Sequence, residues 1–283
     1  MRKRQSGRDV NVRINNNTAA TNTLRVLART DQAVTRTIGR LSSGFRINRA
    51  ADDAAGLAIA NQLRADLSAM RQAARNAEQA NTLLQVAEGG ATGIQDILVR
   101  MKELASQASS DNVDDTGRAR IDIEFQQLLT EIDRIAASTE FSGTALLDGS
   151  AVTLDFIVGA SSDIANDTIS ITTFDLTSGT LGVTGDLTTK ANAQTALDAI
   201  DTAIGTVSDV FAELGASQNR IDIALNQVRI TIENTAAAES VIRDADMAAE
   251  VTELTKYQIL QQAGVAVLAQ ANAKAQSVLA LLR

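Results

Sequence analysis

Apolar positions recur at helical spacing over most of the chain. Leu27, Val34, Ile38, Leu41 and Phe45 follow steps of three and four, with one slot taken by Asp31, and the polar run Ser42-Ser43-Gly44 predicts the stop. A longer segment carries Leu63, Leu67, Met70, Ala74 and Ala77, then Leu84, Ala87, Ala91, Ile94, Leu98, Met101 and Ala105. That alternation holds for roughly a dozen turns. Gly89, Gly90 and Gly93 sit inside it. A mid-helix glycine costs about 1 kcal/mol relative to alanine, so close approach of a neighbouring backbone is expected there. The polar stretch 109–115 breaks the pattern, and a third helix carries Ile121, Phe125, Leu128, Ile132 and Ile135. Phe141-Ser142-Gly143 and Asp148-Gly149 mark turns.

The period changes in the middle of the chain. Residues 151–158 and 168–172 are β-branched, partly alternating and separated by Gly, Asn, Asp and Ser, which predicts a hairpin. Gly179, Gly182 and Gly185 lead back to helix. From 192 the seam Ile200, Ile204, Val207, Phe211, Leu214, Ile221, Leu225, Val228 and Ile232 is interrupted only by Gln218. A last helix follows Asp244-Ala245-Asp246, with Val251, Leu254, Val265, Leu268, Leu279 and Leu282 among its apolar positions. The pattern predicts a mainly α fold: an elongated antiparallel helical bundle or coiled coil with paired N- and C-terminal helices and a small β-hairpin region in the middle of the chain.

Composition narrows the chemistry. The 283 residues include no His, Cys, Trp or Pro and only seven aromatics. Thiolate nucleophiles, disulfides, Cys/His zinc sites and imidazole general bases are therefore excluded. A catalyst would have to rely on carboxylates, hydroxyls or the five lysines, so no enzyme is expected. Neither G-x-x-x-x-G-K-[ST] nor G-x-G-x-x-G occurs. Asp52-Asp53, Asp114-Asp115 and Asp244-Ala245-Asp246 read as helix caps rather than metal ligands, since neighbouring helical residues share no face. No cofactor and no metal are expected. Asn16-Asn17-Thr18 and Asn166-Asp167-Thr168 fit the short N-glycosylation pattern. No apolar run reaches 18 residues, so no membrane contact is expected, and the start lacks the apolar core of a secretory signal.

Charge is unevenly placed. The formal balance is −8. Residues 1–49 carry eleven Lys/Arg against Asp9 and Asp31, a balance of +9, and the remainder carries −17. A basic arm can bind nucleic acid, which leaves a basic-arm nucleic-acid-binding coiled coil as one reading. With a single aromatic in that arm, pairing with acidic surfaces of neighbouring chains is the preferred account, and no nucleic-acid partner is expected.

The segment Leu41-Ser42-Ser43-Gly44-Phe45-Arg46-Ile47-Asn48-Arg49-Ala50-Ala51-Asp52-Asp53-Ala54-Ala55-Gly56-Leu57-Ala58-Ile59-Ala60 resembles the most recognisable run of bacterial flagellins. Leu214 to Arg220 is similar to a second block, and Ile259 to Gly264, Leu268 to Asn272 and Leu281-Leu282-Arg283 to a third. The resemblance covers about 12–148 and 195–283. It implies a structural subunit that polymerises into the helical flagellar filament used for swimming. The hook–filament junction protein, with similar terminal helices, is the close alternative.

The resemblance further implies an inner coiled-coil domain from 12–48 and 243–283, a helical rod from 49–148 and 192–242, and a short β-hairpin region at 149–191. Its self-assembly seams would be Leu27, Val34, Ile38, Leu41, Val251, Leu254, Val265, Leu268, Leu279 and Leu282. Implied partners are further copies of the chain, a flagellar export chaperone and the type III export apparatus, and the filament cap and hook–filament junction proteins. The implied location is extracellular. A patch matching Arg100, Leu104 and Glu124 implies contact with a vertebrate Toll-like receptor or with a filament neighbour.

Compact flagellins often begin Met-Arg-Ile-Asn, and Val12-Arg13-Ile14-Asn15 stands in that place after eleven further residues. Alternative start codons can encode valine, so residues 1–11 are expected to be foreign to the native chain. The intact mass of the protein recovered from its source should lack them. A mass that includes Met1 to Asn11 contradicts this reading.

Overall fold

A computed structural model describes residues 16–159 and 166–281. Its elements are α1 (Thr18–Ser43), α2 (Ala54–Ala108), α3 (Asp115–Ser138), β1 (Glu140–Phe141), β2 (Thr144–Ala145), β3 (Thr153–Ile157), β4 (Thr168–Thr172), α4 (Lys190–Arg243) and α5 (Met247–Leu281). Contacts divide them into two compact units. One holds the described residues up to Arg64 and from Ala236 on, and the other is Ala65–Thr235. The division falls inside α2 and α4.

Local chemistry sets the helix ends. Asn17 caps α1 by accepting from the Ala20 N–H at 3.1 Å, and Gly44 closes it in the left-handed conformation (φ 75°), its N–H bonding Arg40 O. Asp114 accepts from Gly117 N–H at 2.9 Å to start α3, and Asp246 accepts from Ala248 and Ala249 N–H to start α5. Asp53 does the same for Gly56 at 2.9 Å. These carboxylates occupy the capping positions expected of them. Arg118 is buried and closes the other end of α2, donating to Ala108 O at 2.8 Å and Ser110 O at 3.1 Å while pairing with Asp115.

The larger unit contains the main core. Antiparallel α2 and α4 are pinned side by side by Glu78–Arg229, Asn81–Asp222, Glu88–Gln218 and Lys102–Asp201. Between them and α3 lie fully buried Leu84, Ile94, Leu98, Met101, Phe125, Ile132 and Ile200. The β3–β4 hairpin has the expected place, with Leu154 opposite Ile171 and Phe156 opposite Ile169 on its inward face. A second, two-residue hairpin, β1–β2, forms around the turn read at Phe141-Ser142-Gly143.

Of Gly89, Gly90 and Gly93 in the middle of α2, only one fills the role expected of it. A Cβ on Gly90 would lie 2.5 Å from Thr139 Oγ1 and 2.8 Å from Leu147 Cδ1. At Gly93 it would meet Ile135 at an ordinary 3.6 Å, and at Gly89 nothing lies within 4 Å. Gly90 therefore admits the chain leaving α3, whereas Gly89 faces open space.

Residues 173–189 lack regular structure yet bury Leu176, Leu181, Val183 and Leu187. Carboxylates hold this segment in shape. Asp175 accepts from Thr180 Oγ1 (2.6 Å), Thr177 Oγ1 (2.8 Å) and Thr177 N–H (3.1 Å). Asp133 of α3 takes Ser178 N–H and Oγ, and Asp122 takes Leu187 N–H at 2.8 Å. Burial pushes the Asp175 carboxyl up, but the Thr180 and Thr177 hydroxyls and the Thr177 N–H together outweigh it and hold it below the usual range. The Thr188 hydroxyl, then Asn192, lower Asp186.

Gly89→Ala should raise the stability of this unit by about 1 kcal/mol, whereas Gly90→Ala should lower it, because Thr139 and Leu147 must give way. Urea titrations decide, and equal effects of the two variants contradict the packing. The depressed Asp175 and Asp186 stabilise the fold fully above the unfolded carboxylate pKa of about 3.9 and lose that contribution as pH falls through their lower folded values. The melting temperature should thus hold from neutrality to about pH 4 and drop below it, with a smaller acid drop in Asp175→Asn. An unchanged acid drop in that variant contradicts the role given to Asp175.

Candidate assembly surface

The terminal helices form an antiparallel pair. Asn17 donates to Ala271 O at 3.1 Å, Gln261 donates to Asp31 at 3.1 Å, and Arg40 pairs with Glu250 at 3.3 Å. Leu27 packs on Gly264, where a Cβ would stand 3.3 Å from Leu27 Cδ1. The open end of the pair is tied by a short antiparallel bridge. Arg46 N–H bonds Arg243 O at 2.7 Å, Ala245 N–H bonds Gly44 O at 2.9 Å, and the Arg243 guanidinium stacks 4.2 Å from the centre of the Phe45 ring.

Two helices cannot surround each other. Among the described residues, α1 buries only Ala20, Thr30, Ala33 and Thr37, and α5 buries none. On α5 the exposed Val251, Ile259, Leu260, Val265 and Val267 point in directions of roughly 0, 80, 180, 320 and 160° around the axis. A helix apolar on every side is built to be enclosed. Leu24 and Val26 of α1 are likewise more than half exposed. A groove of about 620 Å³ runs between the helices, lined by Leu24, Leu27, Ala28, Asp31, Gln261, Gln262 and Val265.

The seam residues singled out from spacing fall into two groups. Leu27, Val34, Leu41, Leu254 and Leu268 are half-buried, and Ile38, Val251 and Val265 are exposed. Leu282 and the side chain of Leu279 lie outside the described residues. Spacing missed Ile259, Leu260 and Val267, because a seam search keeps one face of a helix and these lie off it.

Arg100 and Glu124 meet on the surface of the larger unit at 2.8 Å, with Glu103 at 2.8 Å on the other side of the guanidinium. Glu124, then Glu103, holds Arg100 above its ordinary pKa. Leu104 is not part of that surface. It is 3% exposed and belongs to the core, because it stands on the a/d-type face of α2 that packs inward. Among the described residues no group of three or more acidic side chains is arranged to hold a metal ion, and no helix is long and apolar enough to cross a membrane.

The family model for the bacterial flagellin N-terminal helical region matches residues 14–152, and that for the C-terminal helical region matches 197–282. The chain belongs to the bacterial flagellin family. It is 43% identical over 271 residues to the flagellin of Halalkalibacterium halodurans, covering 95% of this chain and 99% of that one. The crystal structure of Bacillus cereus flagellin matches at a TM-score of 0.50 and 34% identity, covering 58% of this chain and 94% of the other. A putative flagellar hook-associated protein from Vibrio parahaemolyticus matches at a TM-score of 0.57 and 14% identity, over 68% and 99% of the two chains. At that identity the likeness shows the fold alone. As a flagellin, the chain is a structural protein that polymerises with copies of itself into the flagellar filament that serves motility.

Leu104→Ala should destabilise the folded monomer by about 2–5 kcal/mol, the range for a truncated core leucine. Arg100→Ala, which removes an exposed pair, should leave the urea midpoint nearly unchanged. Comparable losses in both variants contradict the separation of core from surface at this site.

Proposed function

We propose that the unit containing α1 and α5 is the inner assembly domain of the filament and that the unit Ala65–Thr235 is its rod. The observation that carries this reading is the apolar circumference of α5, which has no buried residue of its own among those described. Copies of α1 and α5 from neighbouring subunits enclose it, and burial of apolar area at about 25 cal/mol per Å² drives the association. Contacts of this kind between unlike surfaces of identical copies propagate without closing, which generates a helical filament.

The filament stands outside the cell, and the subunit reaches it through the flagellar type III apparatus, escorted by an export chaperone and placed between the hook–filament junction and cap proteins. These steps follow from family membership. Catalysis has no part in this role. Arg100 and Glu124 form a protein-contact patch in which Val99 and Ile123, the preceding residues, are also exposed. The family resemblance assigns this patch to a neighbouring subunit or to a Toll-like receptor, and Leu104 supports it from beneath.

Ile259→Asp with Val267→Asp should leave the helix content of the monomer unchanged and abolish filaments in negative-stain micrographs. Filaments that form at the wild-type concentration contradict the assembly reading. Receptor activation by monomer should fall in the Arg100→Ala/Glu124→Ala variant, and undiminished activation removes the receptor from the list of partners.

A further inference from the structure

The smaller unit carries a second surface, polar rather than apolar, where the end of α1 meets the loop that follows and the first turns of α5. A cleft of about 190 Å³ is lined by Arg36, Gly39 and Arg40 of α1 and by Asn48, Arg49 and Asp52 of the loop that follows. Arg36, Gly39 and Arg40 share one helical face. Arg40 reaches Glu250, and the Asp52 carboxylate is engaged by the Asn48 and Arg49 N–H groups. The side chains of Arg36 and Arg49 are exposed and make no hydrogen bond or close ion pair among the described residues, although Arg36 borders Glu250, Glu253 and Tyr257 of α5. Gly39 stands in the penultimate turn of α1 with nothing within 4 Å of where a Cβ would be. No contact among the described residues explains that glycine.

The larger unit has a face of the opposite kind. Asp198, Asp201, Gly205, Asp209 and Glu213 of α4 lie within an arc of about 120°. Lys102 pairs with Asp201, while Asp198, Asp209 and Glu213 are exposed and have no side-chain partner among the described residues. Gly205, at the centre of this face, also has nothing within 4 Å. Each surface thus combines exposed charge free of a close ion pair, Arg36 and Arg49 on one and Asp198, Asp209 and Glu213 on the other, with a helical glycine facing open space, as close approach by a partner helix requires.

We propose that the arginine cleft of one copy seats the acidic face of α4 from a second copy, with the Gly39 and Gly205 backbones brought close. The inference rests on the filament reading and adds to the apolar α1–α5 surface a charged contact that sets register. Oppositely charged surfaces orient the incoming subunit before apolar burial begins, and they disfavour wrong registers through like-charge contact. The excess of seven arginines over one aspartate in residues 12–49 is then the imprint of a contact between copies.

The test is the critical concentration for filament formation by the full chain. Arg36→Glu/Arg49→Glu and Asp209→Lys/Glu213→Lys should each raise it about tenfold, and the chain carrying all four reversals should return to within about threefold of wild type. Polymerisation of either pair variant at the wild-type concentration overturns the proposal, as does a four-fold variant no better than the two losses combined. Gly39→Leu and Gly205→Leu place bulk in empty space on intact helices, so both should fold normally and assemble poorly; assembly at the wild-type concentration overturns the close approach. A wild-type chain that forms no filaments overturns the filament reading itself.

Discussion

The structure depends on a helix pair that cannot finish its own burial. α1 and α5 run antiparallel, held by Asn17–Ala271, Asp31–Gln261 and Arg40–Glu250 and closed on Gly264 by Leu27. Two cylinders share only one line of contact, so an apolar residue on the far side of either has no partner. In a monomeric protein that arrangement would be a fault. In a polymer subunit it is stored association energy, released only when further copies supply the missing faces. The ionic and polar links along the pair fix its register.

The larger unit obeys the opposite rule. Its core is closed within one chain by α2, α3, α4 and the two hairpins, with Phe125, Ile132, Leu98 and Ile200 fully buried. The connections are fastened by groups that sequence pattern alone would treat as surface. Arg118 closes the end of α2, Asp133 and Asp122 anchor the irregular segment 173–189 to α3, and Gly90 gives way to Thr139 and Leu147. A body that folds by itself beside a pair that needs neighbours is what an assembling subunit requires. One part keeps its shape while the other remains available for association.

Much of this was legible in the sequence because helical periodicity is a local signal. The stop at Gly44, the Asp114 cap, the break at 109–115, the hairpin and the start of α5 after Asp246 all follow from residues within one or two turns. The terminal pairing followed from apolar helices at both ends. What spacing could not show was long-range. The burial of Leu104 depends on which face of α2 meets the core, and the apolar loop residues Leu176, Leu181, Val183 and Leu187 carry no periodic signature. The open positions of Gly39 and Gly205 became visible only with neighbours in place. The seam on α5 was under-read for a related reason: a search for one face discards the others, and here every face is apolar.

Amide hydrogen exchange read segment by segment in monomer and filament tests the central claim most directly. Exchange reports local opening, which is frequent where few apolar contacts hold a helix. In the monomer the amides of α1 and α5 should exchange much faster than those of α2 around Leu98, and in the filament they should slow to a comparable rate. Protection of α5 in the monomer equal to that of the α2 core, unchanged on assembly, would contradict the account.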